Sequence, residues 1–368
     1  MSTLAAKIPP KIVNRVVRAL FALPEPARRA IAGPPVWRDG QQLDLDTQLL
    51  LRIAAKAAAP FSEGTAAHAR REFDRSAQIL VHTPSDPVST RGLHIPNGAY
   101  DIPARLYTPI DLPTGSGLLV FYHGGGFVLG NLTSHDSVCR YLAARAGVRV
   151  LSVDYRLAPE HPFPTPYDDA LAAYEYALNN AESLGADPTA VAVGGDSAGG
   201  NLSAAVSLNA SVRPRFALLF YPATHVTARY PSQDLFGEGF LLTDDDISWF
   251  TRQYLTQEQR ADPRVSVLLA EDLSGFPATY LTTAGFDPLR DEGEAFAKRL
   301  AESGVQVVVR RHPDLIHGFA NLADLGGRSR EALAEAAGAL KTGLTLGRAS
   351  APARTEPTLS ESTLSESA

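Results

Sequence analysis

The sequence predicts an α/β fold, in which a mainly parallel central sheet is covered by helices on both faces. Short apolar runs recur between residues 117 and 309, and stretches with helical periodicity separate several of them. The runs are apolar on both strand faces, which is typical of parallel strands buried between two helical layers. The apolar runs are 117–122, 148–153, 190–193, 216–220, 279–283 and 305–309. The helical stretches are 168–181, 198–208, 246–254, 292–302 and 330–340.

The same periodicity predicts a separate, helical N-terminal region over residues 1–75. In its first helix the apolar residues fall on one face, and Lys11, Arg15 and Arg18 lie off that face. We favour packing of this face on the protein itself, as surface helices normally do, over the alternative of peripheral contact with a membrane. A second helix is predicted over 47–59. The apolar residues of the first helix are Ile12, Val13, Val16, Val17, Leu20 and Phe21.

A β-hairpin is predicted between the helical region and the first buried strand. Its strands are 91–95 and 104–107, and the turn-forming residues Pro96, Asn97 and Gly98 lie between them. The main domain is expected to cover residues 76–345. Residues 346–368 are expected to be a flexible tail, because they repeat Thr-Leu-Ser-Glu-Ser and contain no aromatic residue with which to form a core.

Composition and charge exclude several classes of protein. The chain has 368 residues and a net charge of −6 without a long Lys/Arg tract, so we expect no nucleic-acid partner. The single cysteine, Cys139, excludes an intramolecular disulfide and a cysteine-based zinc site. No apolar stretch approaches the ~18 residues of a spanning helix, and arginines interrupt the first helix where a signal peptide would be apolar. We therefore expect a cytoplasmic protein.

The first chemical motif follows the apolar run 190–193. Gly195-x-Ser197-x-Gly199 has the spacing of a nucleophile elbow and lies between a predicted strand and a predicted helix. The glycines allow turn and helix to approach closely, and the helix N-terminus offers free N–H groups to a developing oxyanion. The alternative is a small-residue helix start without a catalytic role, but the position after a buried strand favours a nucleophile.

A glycine loop, His123-Gly124-Gly125-Gly126-Phe127, follows the apolar run 117–122. In an α/β-hydrolase such a loop supplies the second part of the oxyanion hole. The alternative is a dinucleotide-binding loop, with Asp154 as the ribose-binding acid. The next glycine is Gly130, however, which gives G-x-G-x-x-x-G rather than the dinucleotide spacing.

A nucleophilic serine needs a base, and the base needs a carboxylate to orient it. In this fold both residues follow the serine in the chain, first the acid and then the histidine. Asp287 comes shortly after the run 279–283. An Asp before a proline is also a good helix cap, and Asp291 and Glu292 are nearby competitors. Because the base follows the acid in the chain, His312 and His317 are the candidate bases. We favour His317, which lies in a loop before Gly318, and interpret His312 as structural.

Taken together, these motifs resemble the bacterial hormone-sensitive-lipase-like esterases, also called family IV. The motifs that carry the resemblance are 123–127 (HGGGF), 154–164 (DYRLAPEHPFP), 195–200 (GDSAGG), 262–264 (DPR), 287–293 (DPLRDEG) and 317–319 (HGF).

The resemblance implies an α/β-hydrolase core with a helical cap, built from the N-terminal region and an insertion at about 224–264. It implies Ser197 as nucleophile, Asp287 as acid and His317 as base. It places the oxyanion donors at Gly125, Gly126 and Ala198. It also implies hydrolysis of esters with short to medium acyl chains, without a metal or other cofactor.

We therefore predict a serine carboxylesterase that acts on a small-molecule ester through an acyl-enzyme. One alternative is a small-molecule receptor on the same fold, as in the plant gibberellin receptors, although that route usually loses the base. Another is amidase or acyltransferase activity, because the same triad serves every acyl transfer. An apolar face on the final strand or helix is a candidate for a homodimer contact.

Overall fold

The computed structural model of the chain describes residues 9–57, 64–80 and 86–345. Its helices and strands in chain order are α1 Pro10–Phe21, α2 Glu25–Ala32, β1 Trp37–Arg38, β2 Gln41–Gln42, α3 Leu45–Ala57, α4 Ala66–Leu80, β3 Val88–Asn97, β4 Tyr100–Pro109, β5 Ser116–Tyr122, α5 Asp136–Ala146, β6 Arg149–Val153, α6 Thr165–Asn179, β7 Ala186–Asp196, α7 Ala198–Asn209, β8 Ala217–Phe220, α8 Pro231–Phe236, α9 Asp244–Tyr254, β9 Thr279–Phe286, α10 Arg290–Glu302, β10 Val307–Ile316 and α11 Gly327–Thr345. Short 3₁₀ helices cover Glu258–Ala261, Val267–Leu269 and Phe319–Leu325.

Eight strands form one sheet in the order β3-β4-β6-β5-β7-β8-β9-β10. All neighbouring pairs from β6 to β10 are parallel, whereas β4 runs antiparallel to both β3 and β6. The predicted α/β fold with a mainly parallel sheet is therefore confirmed. The predicted hairpin is the pair β3–β4, which is longer than expected at both ends.

The sheet is buried on both faces, as its apolar strands require. Along β5, Leu118 and Val120 contribute to a core that also contains residues of α6, α7 and α10. Leu119 and Phe121, which point the other way, contribute to a second core with α5 and α11. Each fully buried side chain of this kind contributes about 1.5–3 kcal/mol of hydrophobic stabilisation.

The N-terminal helices pack in pairs, α1 on α4 and α2 on α3. The apolar face of α1 is only partly covered: Val17 is buried, but Ile12 and Val16 are 50% and 57% exposed. Helix α4 also binds the main domain, because the Arg70 guanidinium donates to the carbonyl oxygens of Val128 (2.8 Å) and Ala158 (2.7 Å).

Several elements differ from the predictions. Helix α5 was not predicted, although Asp136 in its first turn and a left-handed Gly147 at its end are helix-boundary signals. The N-terminal region contains the small hairpin β1–β2, and α4 continues past residue 75 to Leu80. Strand β10 does not end at 309 but continues to Ile316.

The other predicted boundaries stand as follows. Helices α8 and α9 lie in the segment between β8 and β9, residues 221–278, here called the insertion. The division into cap and core stays a prediction. The tail, and residues 58–59 of the predicted second helix, lie outside the described residues. None of the helices within the described ranges has the length and hydropathy to cross a bilayer.

Candidate active site

Ser197 occupies the tight turn between β7 and α7. The strand ends at Asp196 and the helix begins at Ala198, so Ser197 alone makes the connection. Its backbone has φ 56° and ψ −116°, a conformation that is costly for a residue with a side chain. Its N–H donates to the carbonyl oxygen of Phe220 (2.9 Å), which fixes the turn to strand β8. The turn presents the Ser197 hydroxyl at the carboxyl end of the sheet.

Two glycines make this turn sterically feasible. A Cβ atom on either Gly195 or Gly199 would overlap the backbone carbonyl oxygen of Tyr122, the last residue of β5. Because this oxygen belongs to the backbone of a central strand, it has little freedom to move aside. The glycines of Gly195-x-Ser197-x-Gly199 are therefore required by the close approach of β5 to the start of α7.

The structure brings Ser197, His317 and Asp287 together. His317 Nε2 lies 3.0 Å from Ser197 Oγ, and His317 Nδ1 lies 2.8 Å from Asp287 Oδ2. Asp287 directly follows β9, and His317 directly follows the extended β10, so all three residues lie at carboxyl ends of parallel strands. Asp287 is fully buried, and its Oδ1 accepts the N–H of Leu289 at 2.8 Å.

The competing acids and base lie elsewhere. The Asp291 carboxylate accepts the N–H of Ser232 (2.9 Å), and Glu292 accepts the N–H of Thr224 (2.7 Å). His312 is buried within β10, where its ring meets the edge of Phe319 at 5.2 Å. Burial lowers the pKa of His312 to about 4, so it is neutral at physiological pH.

Asp196, next to the serine, anchors the glycine loop. Its Oδ1 accepts the N–H of Gly124 (2.8 Å) and lies 3.3 Å from His135 Nε2, and its Oδ2 accepts from Asn321 Nδ2 (3.1 Å). Burial raises the pKa of Asp196, but His135 and the Gly124 N–H outweigh this, so the pKa lies below its usual value. Asp196 belongs to the motif Gly195-x-Ser197-x-Gly199, but its spacing in the sequence does not indicate this role.

His123 supports the same loop from within the core. Its Nδ1 lies 2.8 Å from the Gly124 carbonyl oxygen, and its ring stacks on Tyr155 with 4.3 Å between the centroids. Burial, together with the nearby His135, lowers the pKa of His123 to about 3. A neutral, buried imidazole of this kind is a structural group rather than a base.

Tyr221 is a further residue of the site that the sequence did not predict. Its ring centroid lies 4.7 Å from that of His317, and its hydroxyl oxygen accepts the N–H of Ala320 at 3.2 Å. Tyr221 therefore packs against the imidazole and restricts its movement. No motif contains Tyr221; its position directly after β8 is the only signal in the sequence.

The three predicted oxyanion donors lie in the glycine loop and at the start of α7. Gly125 and Gly126 have positive φ values of 116° and 61°, which suit glycine, and the Gly125 carbonyl oxygen closes the turn by accepting from Leu129 (2.8 Å). Ala198 is the first residue of α7, where the helix offers its N–H no acceptor. Their role as donors stays a prediction. Within the described ranges, no cluster of His, Cys, Asp and Glu side chains could hold a metal ion.

The chain is similar to several known ester hydrolases. The chain matches a family model described as alpha/beta hydrolase fold over residues 119–321. It is 45% identical over 351 residues to the carboxylic ester hydrolase LipN of Mycobacterium tuberculosis, covering 90% of this chain and 92% of the relative. It is 37% identical over 295 residues to an ethyl acetate hydrolase of Pseudomonas putida, covering 77% and 92% of the two chains.

A solved structure is also similar. The hyperthermophilic esterase from the archaeon Pyrobaculum calidifontis aligns with a TM-score of 0.76 and 37% sequence identity, over 80% of this chain and 97% of that chain.

Proposed function

Because this chain belongs to the hormone-sensitive-lipase-like esterases of the α/β-hydrolase fold and is a serine carboxylic-ester hydrolase, we propose that Ser197, His317 and Asp287 form its catalytic triad. The observation that supports this assignment is the unbroken series of contacts from Ser197 Oγ through both ring nitrogens of His317 to Asp287. We further propose that the acyl chains it accepts are short to medium.

The first half of the reaction acylates the serine. His317 Nε2 takes the proton of Ser197 as Oγ attacks the ester carbonyl carbon, and the carbonyl oxygen becomes an oxyanion. The imidazolium then protonates the ester oxygen of the alcohol, and the bond from the carbonyl carbon to this oxygen breaks. Asp287 stays ionised, holds the Nδ1 proton and orients the ring.

The second half releases the acid. A water molecule takes the place of the alcohol, His317 removes its proton, and its oxygen attacks the acyl carbonyl carbon. The bond from this carbon to Ser197 Oγ then breaks, and the imidazolium returns the proton to Oγ. In both halves the N–H groups of Gly125, Gly126 and Ala198 stabilise the oxyanion, at about 3 kcal/mol for each donor. The N-terminal end of α7 adds positive potential at the same point.

Substitution of the serine tests the assignment. Ser197→Ala should lower kcat for 4-nitrophenyl butanoate by a factor on the order of 10⁴ to 10⁶ and abolish labelling by a fluorophosphonate. An unchanged circular dichroism spectrum controls for folding. Near wild-type turnover in this variant would remove Ser197 from the mechanism.

Two surfaces are candidates for the contacts that the sequence left open, with a membrane and with a second copy of the chain. On α1, the exposed Ile12 and Val16 lie near Lys11 and Arg15, a combination that suits peripheral contact with an anionic membrane. Flotation with anionic liposomes tests this contact, and equal recovery of the wild type and an Ile12→Glu variant would reject it.

The second surface is the free edge of β10. Among the described strands it pairs with β9 on one side, and near its start it exposes Val308 (60%) and Val309 (46%), so a second copy of the chain can pair there. Light scattering of the wild type and a Val308→Lys variant tests the dimer; a monomeric wild type would reject it. The cytoplasmic location is likewise part of this proposal, and cell fractionation tests it.

A further inference from the structure

His135 is a buried histidine that takes no part in the proton transfers of the reaction. It lies directly before α5, and only 1% of its surface is exposed. Its ring contacts the rings of Phe73 in α4 and of His123, with 6.5 Å and 5.4 Å between the centroids. A phenyl ring would fill this space without burying a polar group. The two ring nitrogens are therefore the feature that requires an explanation.

Both nitrogens of His135 face a polar group. Nδ1 lies 2.9 Å from Ser134 Oγ, and this hydroxyl oxygen also accepts the N–H of Asn131 at 2.9 Å. Nε2 lies 3.3 Å from Asp196 Oδ1. Because an ionised carboxylate can only accept a proton, Nε2 carries the proton in this contact. The ring is thus held from the side of Ser134 and presents a donor to Asp196.

The Asp196 oxygen that His135 faces is the one that anchors the glycine loop. Oδ1 also accepts the N–H of Gly124 at 2.8 Å. A Cβ atom on Gly124 would overlap the same carboxylate, so the loop packs directly against it. Asp196 is 3% exposed, and a buried carboxylate needs a partner to offset its lost hydration. Removal of His135 therefore leaves this carboxylate with one partner fewer and more freedom to turn away from Gly124.

We propose that His135 is a positioning residue of the ester hydrolysis, which holds the Asp196 carboxylate in the orientation that fixes the loop of Gly125 and Gly126. This inference rests on the proposed role of these two glycines as oxyanion donors. Their N–H groups bind the oxyanion of the transition state more strongly than the carbonyl oxygen of the bound ester. Loss of His135 should therefore lower kcat and leave KM nearly unchanged.

Three replacements of His135 in the full-length protein separate positioning from packing. His135→Phe keeps a ring of similar shape and removes both nitrogens. His135→Gln removes the ring but keeps an amide NH₂ group at about the place of Nε2. His135→Asn keeps an amide NH₂ group at about the place of Nδ1, too short to reach Asp196.

The order of activities among these variants is the main test, with kcat and KM measured for 4-nitrophenyl butanoate. His135→Phe should lower kcat by about 30-fold with KM within about threefold, whereas kcat of His135→Gln should stay within about fivefold of wild type. A ring that serves packing alone predicts the reverse order. A kcat of His135→Phe equal to or above that of His135→Gln would overturn the inference.

His135→Asn keeps the test decisive if circular dichroism shows that His135→Phe does not fold. Its kcat should lie at least about fivefold below that of His135→Gln, because its amide does not reach Asp196. Equal kcat values for the two amide variants would also overturn the inference.

A double variant tests whether His135 acts through Asp196. Asp196→Asn alone removes the carboxylate that His135 holds. In that background His135→Phe should lower kcat by less than about threefold, because effects that pass through one group do not add. A further fall of about 30-fold, as for two independent sites, would contradict the proposed route.

The matched control is His312→Phe, the same exchange at another buried histidine, which contacts Phe319 instead. Its kcat should stay within about twofold of wild type, and a fall as large as that of His135→Phe would count against a specific role for His135. Failure of the proposed function has a different signature. Ser197→Ala would then retain turnover, whereas failure of this inference leaves Ser197→Ala inactive and His135→Phe close to wild type.

Discussion

Replacement of Asp196 by asparagine tests how the oxyanion loop is held. The carboxylate accepts from Gly124 N–H through one oxygen and from Asn321 Nδ2 through the other. An asparagine has only one oxygen, so in either orientation its NH₂ group faces one of these two donors. One hydrogen bond to a charged acceptor is lost, which costs about 1.5–3 kcal/mol of stability.

The effect on turnover should be larger than the effect on substrate binding. When the NH₂ group of Asp196→Asn faces the Gly124 N–H, two donors oppose each other and the loop that carries Gly125 and Gly126 loses its anchor; loss of one oxyanion donor costs roughly 10²–10³ in kcat. We expect kcat for 4-nitrophenyl butanoate to fall about 100-fold, with KM changed by less than about threefold.

The matched control is Asn321→Ala, which removes the second partner of Asp196 and leaves its bond to Gly124. Its kcat should fall by less than about tenfold. Steady-state kinetics and thermal unfolding of both variants provide the measurements. A kcat of Asp196→Asn within about threefold of wild type would refute the reasoning that Asp196 positions the loop.

Two further predictions concern stability. Gly199→Ala places a Cβ atom on the backbone oxygen of Tyr122 and should lower the free energy of unfolding by about 3 kcal/mol. The control is Gly338→Ala, in α11 with open space around it, which should raise that free energy by roughly 0.5–1 kcal/mol. Urea unfolding measures the free energy of unfolding of both variants. Equal changes in the two variants would contradict the steric argument. Burial raises the pKa of Glu292 to about 8, although the Thr224 and His225 N–H groups lower it. Above about pH 4.3 the unfolded state loses the Glu292 proton, whereas the folded state keeps it up to about pH 8. The free energy of unfolding therefore falls as pH rises between these values, by up to ~1.4 kcal/mol per pH unit. Glu292→Gln should flatten this slope between pH 5.5 and 8.5; the same slope in both proteins would show that Glu292 does not titrate there.

The sequence could predict the edge of the sheet where the site lies, because the candidate reacting residues come directly after predicted strands. Ser197 and Asp287 follow buried strands whose apolar runs are easily recognised. The predicted end of the last strand, at residue 309, was wrong for a physical reason. Arg310 and Arg311 interrupt the apolar run, but β10 is an edge strand, and their side chains pair on opposite faces of the sheet with Glu335 of α11 and Glu294 of α10. His317 consequently lies directly at the strand end rather than in a distant loop.

The supporting residues could not be predicted, because their roles depend on contacts between distant segments. Asp196 meets Asn321 across 125 residues of chain and Gly124 across 72. Tyr221 belongs to no motif and shows no periodicity that distinguishes it from core residues. Spacing along the chain identifies the reacting side chains, but only the docking of one segment on another reveals what holds them.

The insertion is tied to the acid as well as to the substrate site. Glu292 accepts the N–H of Thr224 at the root of the insertion, and the N–H of Ser232 donates to Asp291 at 2.9 Å. Both carboxylates belong to the segment that begins at Asp287. The segment that carries the acid and the root of the insertion are therefore joined by hydrogen bonds, and we expect a displacement of the root to shift Asp287. Substitutions near this root should consequently lower the turnover of every ester by a similar factor.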